Sequence, residues 1–384
     1  MRKLNVIYAT LFCGLLLHVG ILLGVLYLDP YTILAGTDSL SFYEDAIYVA
    51  QSGDYFPLDL GWKPYVNTVG FLMYHLGESI SFMFLASTAA WLLSAILIDS
   101  SLRILKTRNE IRIISAAVMA VDPSLLFITS IPLRESFQLL GMTIIGFSAV
   151  KIFVEKRNVY FVLAIAGSAL AGILHLSLLV SVSLFTIIVF LGYRYSERKL
   201  SMYQIAFSAI LASLVLFVVI GVIASQYENG GDDILQTVDV FRETGAAVDA
   251  RAQYDNRVGA SSSVIGSIIG LFIGFIQYMI EPMPWRISTL GDMVVFVENA
   301  LRLVLVFIVV RRLKYLSHSE FALSVTLLCM FATTEFVWST GTINWGTAAR
   351  HHVPSLPLLM ITAFAIGRPR SYAKLRAAPR MRMS

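Results

Sequence analysis

Cysteine and charge are the two scarce components of this 384-residue sequence. The only cysteines are Cys13 and Cys329, both inside apolar runs, which excludes a disulfide framework and a thiolate zinc site. Charged residues make up 14% of the chain, whereas soluble domains carry about a quarter. This composition is too apolar for a soluble globular core, and it predicts a membrane protein.

Apolar runs recur at nearly the length that a helix needs to cross a bilayer, about 20 residues. Lipid satisfies no backbone hydrogen bonds, so such runs form either helices or the strands of a closed barrel. Barrel strands are short and alternating, and these runs are neither, which predicts an all-α polytopic protein. The clearest runs are Leu4–Leu28, Ser79–Ile98, Tyr203–Ile223, Val294–Val310 and Phe321–Trp338.

The positions of lysine and arginine predict the topology, because basic residues beside short loops stay in the cytoplasm. Basic clusters lie at 2–3, 103–112, 151–157, 194–199, 311–314 and 368–382. Keeping every cluster inside predicts ten spans, near 4–28, 79–98, 111–130, 136–154, 159–174, 177–193, 203–223, 294–310, 320–338 and 353–367. Both termini are then cytoplasmic, and the whole chain is one transmembrane domain with a basic tail at 368–384. The pI near 9.0 reflects this topology and does not indicate nucleic acid.

The first outer loop, 29–78, is expected to contain a helix lying at the membrane surface. Residues 40–52 are amphipathic, with Leu40, Tyr43, Ile47 and Ala50 on one apolar stripe. Polar residues immediately before this stretch provide the start signal of a helix.

A second long segment, 224–293, also lies outside in this topology. It contains the apolar stretch 264–280, which would place the later basic clusters outside if it crossed the bilayer. The charge rule therefore favours a re-entrant helix over an eleventh span. The polar stretch 225–263 before it is either a flap over an outward-facing cavity or a disordered link.

Ionisable side chains at span ends are candidates for function, because charge is costly near the bilayer. The candidates on the predicted outer face are Asp38, Lys63, Arg134, Glu135, Arg350, His351 and His352. Asp38 is either a helix cap or a catalytic carboxylate. Lys63 either meets a phosphate or snorkels to the interface. Arg134 and Glu135 either pair with each other or position a ligand. The Arg-His-His trio is either an anion site or an interfacial anchor.

The order of these motifs resembles the GT-C glycosyltransferases, above all bacterial enzymes similar to the protein-mannosyltransferase and lipid A aminoarabinose transferase group. The matching features are an acid after the first span at Asp38, Lys63-Pro64 before a short apolar helix, and Arg350 followed by two prolines. The stretch from Pro123 to Ser136 is also similar to membrane proteins of exopolysaccharide gene clusters. Ser39 and His351 depart from the pattern, which usually has a second acid and a tyrosine at these places.

The resemblance implies transfer of a sugar from a polyprenyl-phosphate donor to a glycan or lipid acceptor at a bacterial inner membrane. Asp38 would be the general base, and Arg350, with His351, His352 and Lys63, would bind the lipid phosphate. Arg134 and Glu135 would position the sugar or the phosphate. Membrane lipid is the other expected partner. The resemblance names no obligatory cofactor and leaves a divalent metal and the oligomeric state open.

Two alternatives remain at the level of sequence. An O-antigen or exopolysaccharide repeat-unit polymerase or ligase would use similar outward-facing arginines and a large outer loop such as 224–293. A lipid-carrier flippase or transporter would place ionisable residues at the membrane midplane and often contains internal repeats. Glu298, Arg302 and Glu335 are among the few midplane candidates, and Glu298 and Arg302 have the spacing of an intrahelical pair.

Overall fold

The computed structural model describes residues 2–28, 38–56, 62–197, 204, 252–254 and 264–365, and this part of the chain is helical without strands. The helices are α1 (Arg2–Leu28), α2 (Asp38–Ser52), α3 (Lys63–Leu76), α4 (Ile80–Ile104), α5 (Asn109–Val121), α6 (Pro123–Ser130), α7 (Glu135–Val150), α8 (Tyr160–Ile173), α9 (Leu176–Ser196), α10 (Val264–Ile280), α11 (Leu290–Leu313), α12 (His318–Gly341), α13 (Trp345–His352) and α14 (Leu356–Ala365). A π-helical turn, Lys151–Glu155, extends α7.

Five helices among the described residues are long and apolar enough to cross a membrane. They are Val6–Tyr27 within α1, Ile80–Ile104, Glu135–Glu155, Leu290–Leu313 and His318–Gly341. A sixth span arises if α5 and α6 cross together. The chain is therefore a helical membrane protein, as predicted.

The predicted count of ten spans is not confirmed. The segments predicted at 159–174 and 353–367 correspond to helices of only 14 and 10 residues, α8 and α14. The predicted span at 203–223, most of 224–263 and the tail at 368–384 lie outside the described residues. Residues 264–280 do form a helix, α10. Its re-entrant path stays a prediction.

The predicted single span at 111–130 is two helices, bent by 55° between α5 and α6. Asp122 ends α5 and caps α6, because its Oδ1 accepts a hydrogen bond from the Leu125 backbone N–H at 2.9 Å. Pro123 follows as the first residue of α6, the position where proline is best tolerated. The Asp-Pro pair therefore causes the break.

The short helix α14 lies at the centre of the bundle. It packs against α4, α7, α11 and α12, and every residue from Leu356 to Ala363 is buried. Helix α13 ends only a few residues before it. The centre of the bundle therefore determines where α13 can lie.

The α2 helix is confirmed, but its buried face differs from the predicted stripe. The buried side chains are Ser39, Phe42, Ala46, Val49 and Ala50, one position along the helix from most of the predicted set. The reason is close packing against α3. A Cβ at Gly70 would lie 2.6 Å from Val49 Cβ and 2.9 Å from the Ala46 carbonyl oxygen. Small residues at a contact allow two helices to approach closely.

Helices α7 and α8 pack closely at a pair of glycines. A Cβ at Gly141 would lie 2.7 Å from the Gly167 carbonyl oxygen and 2.9 Å from the Ala171 nitrogen. Both neighbours are backbone atoms, which cannot move aside alone. The contact therefore requires glycine at position 141.

Gly141→Ala is expected to lower stability by about 1–3 kcal/mol, the usual cost of overpacking a close contact. The measurement is the midpoint of thermal unfolding of the detergent-solubilised chain. Gly20→Ala in α1 is the matched control, since nothing lies within 4 Å of a Cβ there. Equal midpoints for the two variants would show that the α7–α8 contact is not tight.

Ionisable residues at one end of the bundle are mostly basic and paired. Arg112 donates through Nε and Nη2 to the two oxygens of Asp99, each at 2.8 Å, where α4 ends and α5 begins. Lys156 Nζ lies 3.7 Å from Glu197 Oε1, where α7 ends and α9 ends. The other end of the bundle, called the site end below, contains the first residues of α2 and α7 and the turn between α8 and α9.

Candidate functional site

The guanidinium of Arg350 joins two carboxylates from distant parts of the sequence. Its Nη1 donates to Asp38 Oδ2 at 2.7 Å, across 312 positions of sequence. Its Nε donates to Glu135 Oε1 at 2.7 Å, and its Nη2 lies 2.6 Å from the same oxygen. Asp38 is the first residue of α2 and Glu135 the first of α7, so two helix starts meet the Arg350 side chain.

The three side chains differ in exposure. The Asp38 side chain is 55% exposed, that of Arg350 is 18% exposed, and that of Glu135 is 0% exposed. Burial alone would lower the pKa of Arg350, but the carboxylates of Glu135 and Asp38 raise it above its ordinary value. Arg350 therefore keeps its positive charge at every physiological pH.

Helix α13, which carries Arg350, is fastened at its first turn. Asn344 caps the helix through Oδ1, which accepts from the Thr347 N–H at 2.7 Å. The indole Nε1 of Trp345 donates to Asp292 Oδ1 at 2.8 Å, which ties α13 to the first turn of α11. The helix therefore cannot rotate without breaking a buried bond to a carboxylate.

A short piece of the segment 224–293, which was predicted to lie outside, also contacts the start of α13. Gln253 and Asn344 form an isolated antiparallel bridge. Arg286 Nη2 donates to the Gln253 carbonyl oxygen at 2.6 Å, and its guanidinium carbon lies 4.8 Å from the Trp345 ring centroid. Residues 252–254 are thus held against the helix that presents Arg350.

Arg134 lies between Glu135, the end of α8 and the Phe42 ring of α2. Its Nη1 donates to the Leu174 carbonyl oxygen at 3.1 Å, and its Nε is 3.9 Å from Glu135 Oε1. Its guanidinium carbon is 5.8 Å from the centroid of the Phe42 ring. We call Arg350, Asp38 and Glu135 the Arg350 cluster. A second arginine, Arg134, therefore lies beside this cluster at the end of α8.

Aromatic rings form the neighbouring wall of the site. His351 stacks on Trp338 with ring centroids 3.9 Å apart and an interplanar angle of 17°. His175, in the turn between α8 and α9, meets the same indole edge-on at 4.4 Å. Both imidazoles therefore lie at the site end of α12.

The protonation state of His351 follows from its surroundings. Burial lowers the pKa of His351 well below its ordinary value, and the nearby positive charge of Arg350 lowers it further. The ring is therefore neutral at pH 7. Thr342 Oγ1 donates to the Trp338 carbonyl oxygen, so at 2.7 Å it accepts from Nδ1–H of His351. Nε2 then has a free acceptor lone pair.

Lys63 is the first residue of α3 and lies partly buried near the site end. Two residues further on, the Tyr65 ring lies 5.6 Å from Phe42 and 5.8 Å from Phe137. These contacts place the first turn of α3 beside the first turns of α2 and α7.

His352 is turned away from the Arg350 cluster into the interior. Its ring is completely buried, its Nδ1 is hydrogen-bonded to Glu335 Oε2, and it packs on Tyr278 with centroids 4.3 Å apart. Ser355 donates to the other oxygen of Glu335. His352 thus fastens the last turn of α13 to α12 rather than joining an anion site.

Of the seven candidates from sequence, the structure brings Asp38, Arg134, Glu135, Arg350 and His351 together. Their chemical roles stay predictions. Two neighbours, His175 and Trp338, were not among the candidates. His175 lies in a turn and Trp338 at the end of an apolar run. Neither position distinguishes a site residue from an ordinary one in the sequence.

The expected intrahelical pair of Glu298 and Arg302 does not form. Glu298 instead accepts from the Ser124 N–H at 2.9 Å and from the Ser124 hydroxyl at 2.6 Å. Arg302 donates to Asn299 Oδ1. The partner of Glu298 therefore comes from α6, whereas the partner of Arg302 is three residues earlier in α11 itself.

Within the described residues, no group of three or more His, Cys, Asp and Glu side chains could hold a metal ion. Comparison of the chain with protein-family models, curated proteins and solved structures finds no match. The resemblance to the GT-C enzymes therefore stands on the residues alone, and function is inferred from the geometry of the Arg350 cluster.

Proposed function

We propose that the chain is a membrane glycosyltransferase of the GT-C type, which transfers a sugar from a polyprenyl-phosphate donor to a hydroxyl acceptor. The acceptor belongs to the synthesis of cell-envelope or extracellular glycans. One observation carries this proposal. The exposed carboxylate of Asp38 and the permanently charged guanidinium of Arg350 are in contact at one end of the bundle.

The reaction needs the Asp38 carboxylate and the Arg350 guanidinium close enough to contact the same donor and acceptor. The acceptor hydroxyl oxygen attacks the anomeric carbon of the donor sugar, and its proton passes to the Asp38 carboxylate. The bond between the anomeric carbon and the phosphate oxygen breaks, and its electron pair leaves with the lipid phosphate. Inversion at the anomeric carbon follows from this direct displacement.

Arg350 would stabilise the leaving phosphate as its negative charge grows. A guanidinium fixed in advance is more effective than one that must reorganise during the reaction. Glu135, Trp345 and His352 supply that fixation through the bonds to α7, α11 and α12. Arg134 adds a second positive charge beside the same carboxylate. His351 would contribute as a neutral hydrogen-bonding ring rather than as a cation.

The distribution of basic residues supports an outward-facing site. Arg103, Arg112, Lys151 and Lys156 lie at the end of the bundle away from Asp38, and basic clusters mark the cytoplasmic side. In this arrangement ten spans cross a bacterial inner membrane, and both termini are cytoplasmic. The donor lipid would then reach Arg350 from the outer leaflet.

The experiment uses the full chain in lipid vesicles with short polyprenyl-phosphate sugars of several hexoses and pentoses. Native membrane extract supplies acceptors. We expect release of polyprenyl phosphate and addition of single sugars by the wild-type chain. Failure with every donor, together with loss of long polysaccharide chains from a deletion strain, would instead identify a repeat-unit polymerase.

A further inference from the structure

The two edges of the Arg350 guanidinium lie in different environments. Nε and Nη2 face Glu135, whose side chain is 0% exposed. Nη1 faces Asp38, whose side chain is 55% exposed. The same cation thus makes one buried contact and one contact that water can reach.

These contacts differ in how readily they exchange. Separating a buried ion pair leaves an uncompensated charge without water, so the Glu135 contact is persistent. An exposed ion pair contributes little, because water and salt compete for both partners. The Asp38 contact is therefore the one that a second anion can replace.

We propose that Asp38 and the substrate phosphate compete for the same Nη1 group of Arg350, while Glu135 is a positioning residue that holds the guanidinium for either partner. This inference rests on the proposed function. It adds an order to the reaction, in which the donor binds first and thereby releases the base.

The order follows from the geometry of the contact. Asp38 Oδ2 accepts a hydrogen bond from Arg350 Nη1 at 2.7 Å, so this oxygen cannot at the same time accept along that direction from an acceptor hydroxyl. When a phosphate takes Nη1, Asp38 Oδ2 is released and can accept the hydrogen bond of the acceptor hydroxyl.

The other charges around Arg350 are compatible with this exchange. Arg134 lies beside Glu135, and its Nη1 is already bonded to the Leu174 carbonyl oxygen, so it supplies positive charge near the site without replacing Arg350 Nη1 as a donor. The rings of His351 and His175 flank the cluster without charge, since burial and the neighbouring arginines lower the pKa of each imidazole. With Asp38 in contact with Arg350 the two arginines and two acids balance, so replacement of Asp38 by a phosphate at Nη1 leaves Arg350 with one anion on each edge.

The test measures the binding of farnesyl phosphate to the full chain in lipid nanodiscs. Isothermal titration calorimetry gives the affinity. Removing the negative charge that competes for Nη1 should help the phosphate, so Asp38→Asn and Asp38→Ala should each bind it about threefold to fivefold tighter than wild type. Farnesol, which has no phosphate, should bind both variants and the wild type alike. Inorganic phosphate in excess should compete only weakly, since it lacks the lipid chain.

Glu44→Gln is the matched control, because Glu44 is an exposed acid on the same helix, six residues beyond Asp38. Its affinity for farnesyl phosphate should equal that of wild type. Equal tightening in Asp38→Asn and Glu44→Gln would show a general field effect and overturn direct competition. Unchanged or weaker binding by both Asp38 variants would also overturn it, while leaving the proposed function intact.

Glu135 has a separate readout. Glu135→Gln should weaken farnesyl phosphate binding about tenfold, the effect of losing one charge-assisted hydrogen bond that holds Arg350, but it should have no further effect once Arg350 is replaced by alanine. Independent, additive losses would show that Glu135 does not act through Arg350. Absence of any phosphate-dependent binding by the wild-type chain would instead overturn the proposed function itself.

Discussion

Asp38→Asn is expected to lower the rate of sugar transfer by about 10²–10⁴-fold, the usual contribution of a general base. The amide keeps the size of the side chain and can still accept a hydrogen bond from Arg350, but it cannot take a proton from the acceptor. The measurement is the initial rate of transfer at saturating donor. Expression and elution volume in size-exclusion chromatography should match those of wild type, because Asp38 is exposed.

Glu44→Gln again provides the comparison, since it removes one acid from the same helix and should retain full activity. The two readouts for Asp38→Asn point in opposite directions, with tighter binding of the lipid phosphate and slower transfer. A residue needed only for folding would weaken both. Full activity in Asp38→Asn would remove this carboxylate from the mechanism.

Arg350→Ala is expected to lower kcat by about 10²–10³-fold, the cost of losing a preorganised group that stabilises developing negative charge. It also leaves the buried carboxylate of Glu135 without its main partner, which is expected to cost about 3–5 kcal/mol of stability. The measurements are transfer at a series of donor concentrations and the midpoint of thermal unfolding.

Arg350→Lys separates charge from shape. Lysine restores a positive charge, so much of the stability should return. An ammonium cannot contact Glu135 and a phosphate through two edges of one plane, so most of the activity should stay lost. If Arg350→Lys transferred sugar at the wild-type rate, the fork geometry of the guanidinium would have no role in the reaction.

The convergence of Asp38, Glu135 and Arg350 follows from information present in the sequence. The apolar runs predicted the long helices, and the basic clusters predicted the side on which each run begins. Residues at helix starts and turns on the same side are then expected to meet, even 312 positions apart. The contact among these three residues agrees with that expectation, whereas the number of spans between them stays a prediction.

The orientation of individual side chains was less predictable. The buried face of α2 was displaced because hydropathy favours large apolar residues, whereas the packing against α3 depends on Ala46 and Gly70. His351 and His352 are consecutive, so a helix must direct them to different sides. Which one faces the site depends on the positions of Trp338 and Glu335, and those are properties of another helix.

The break between α5 and α6 was predictable from local chemistry. Asp122-Pro123 combines a residue that caps a helix with one that begins a helix, and the structure uses both. Hydropathy alone hides this signal, because the apolar character continues through the break. The short helices α8 and α14 were similarly masked, since apolar composition records burial but not whether lipid or protein provides it.

The attachments of α13 have a consequence for how such a chain can diversify. Its three fastenings come from Gln253, Asp292 and Glu335, which are spread over the second half of the sequence. Recombination with a related gene at a point between these positions would separate Arg350, which α13 carries, from some of the residues that hold α13 in place. The stretch from 252 to 365 would therefore be inherited as a block, whereas α2 and α3 lie outside it.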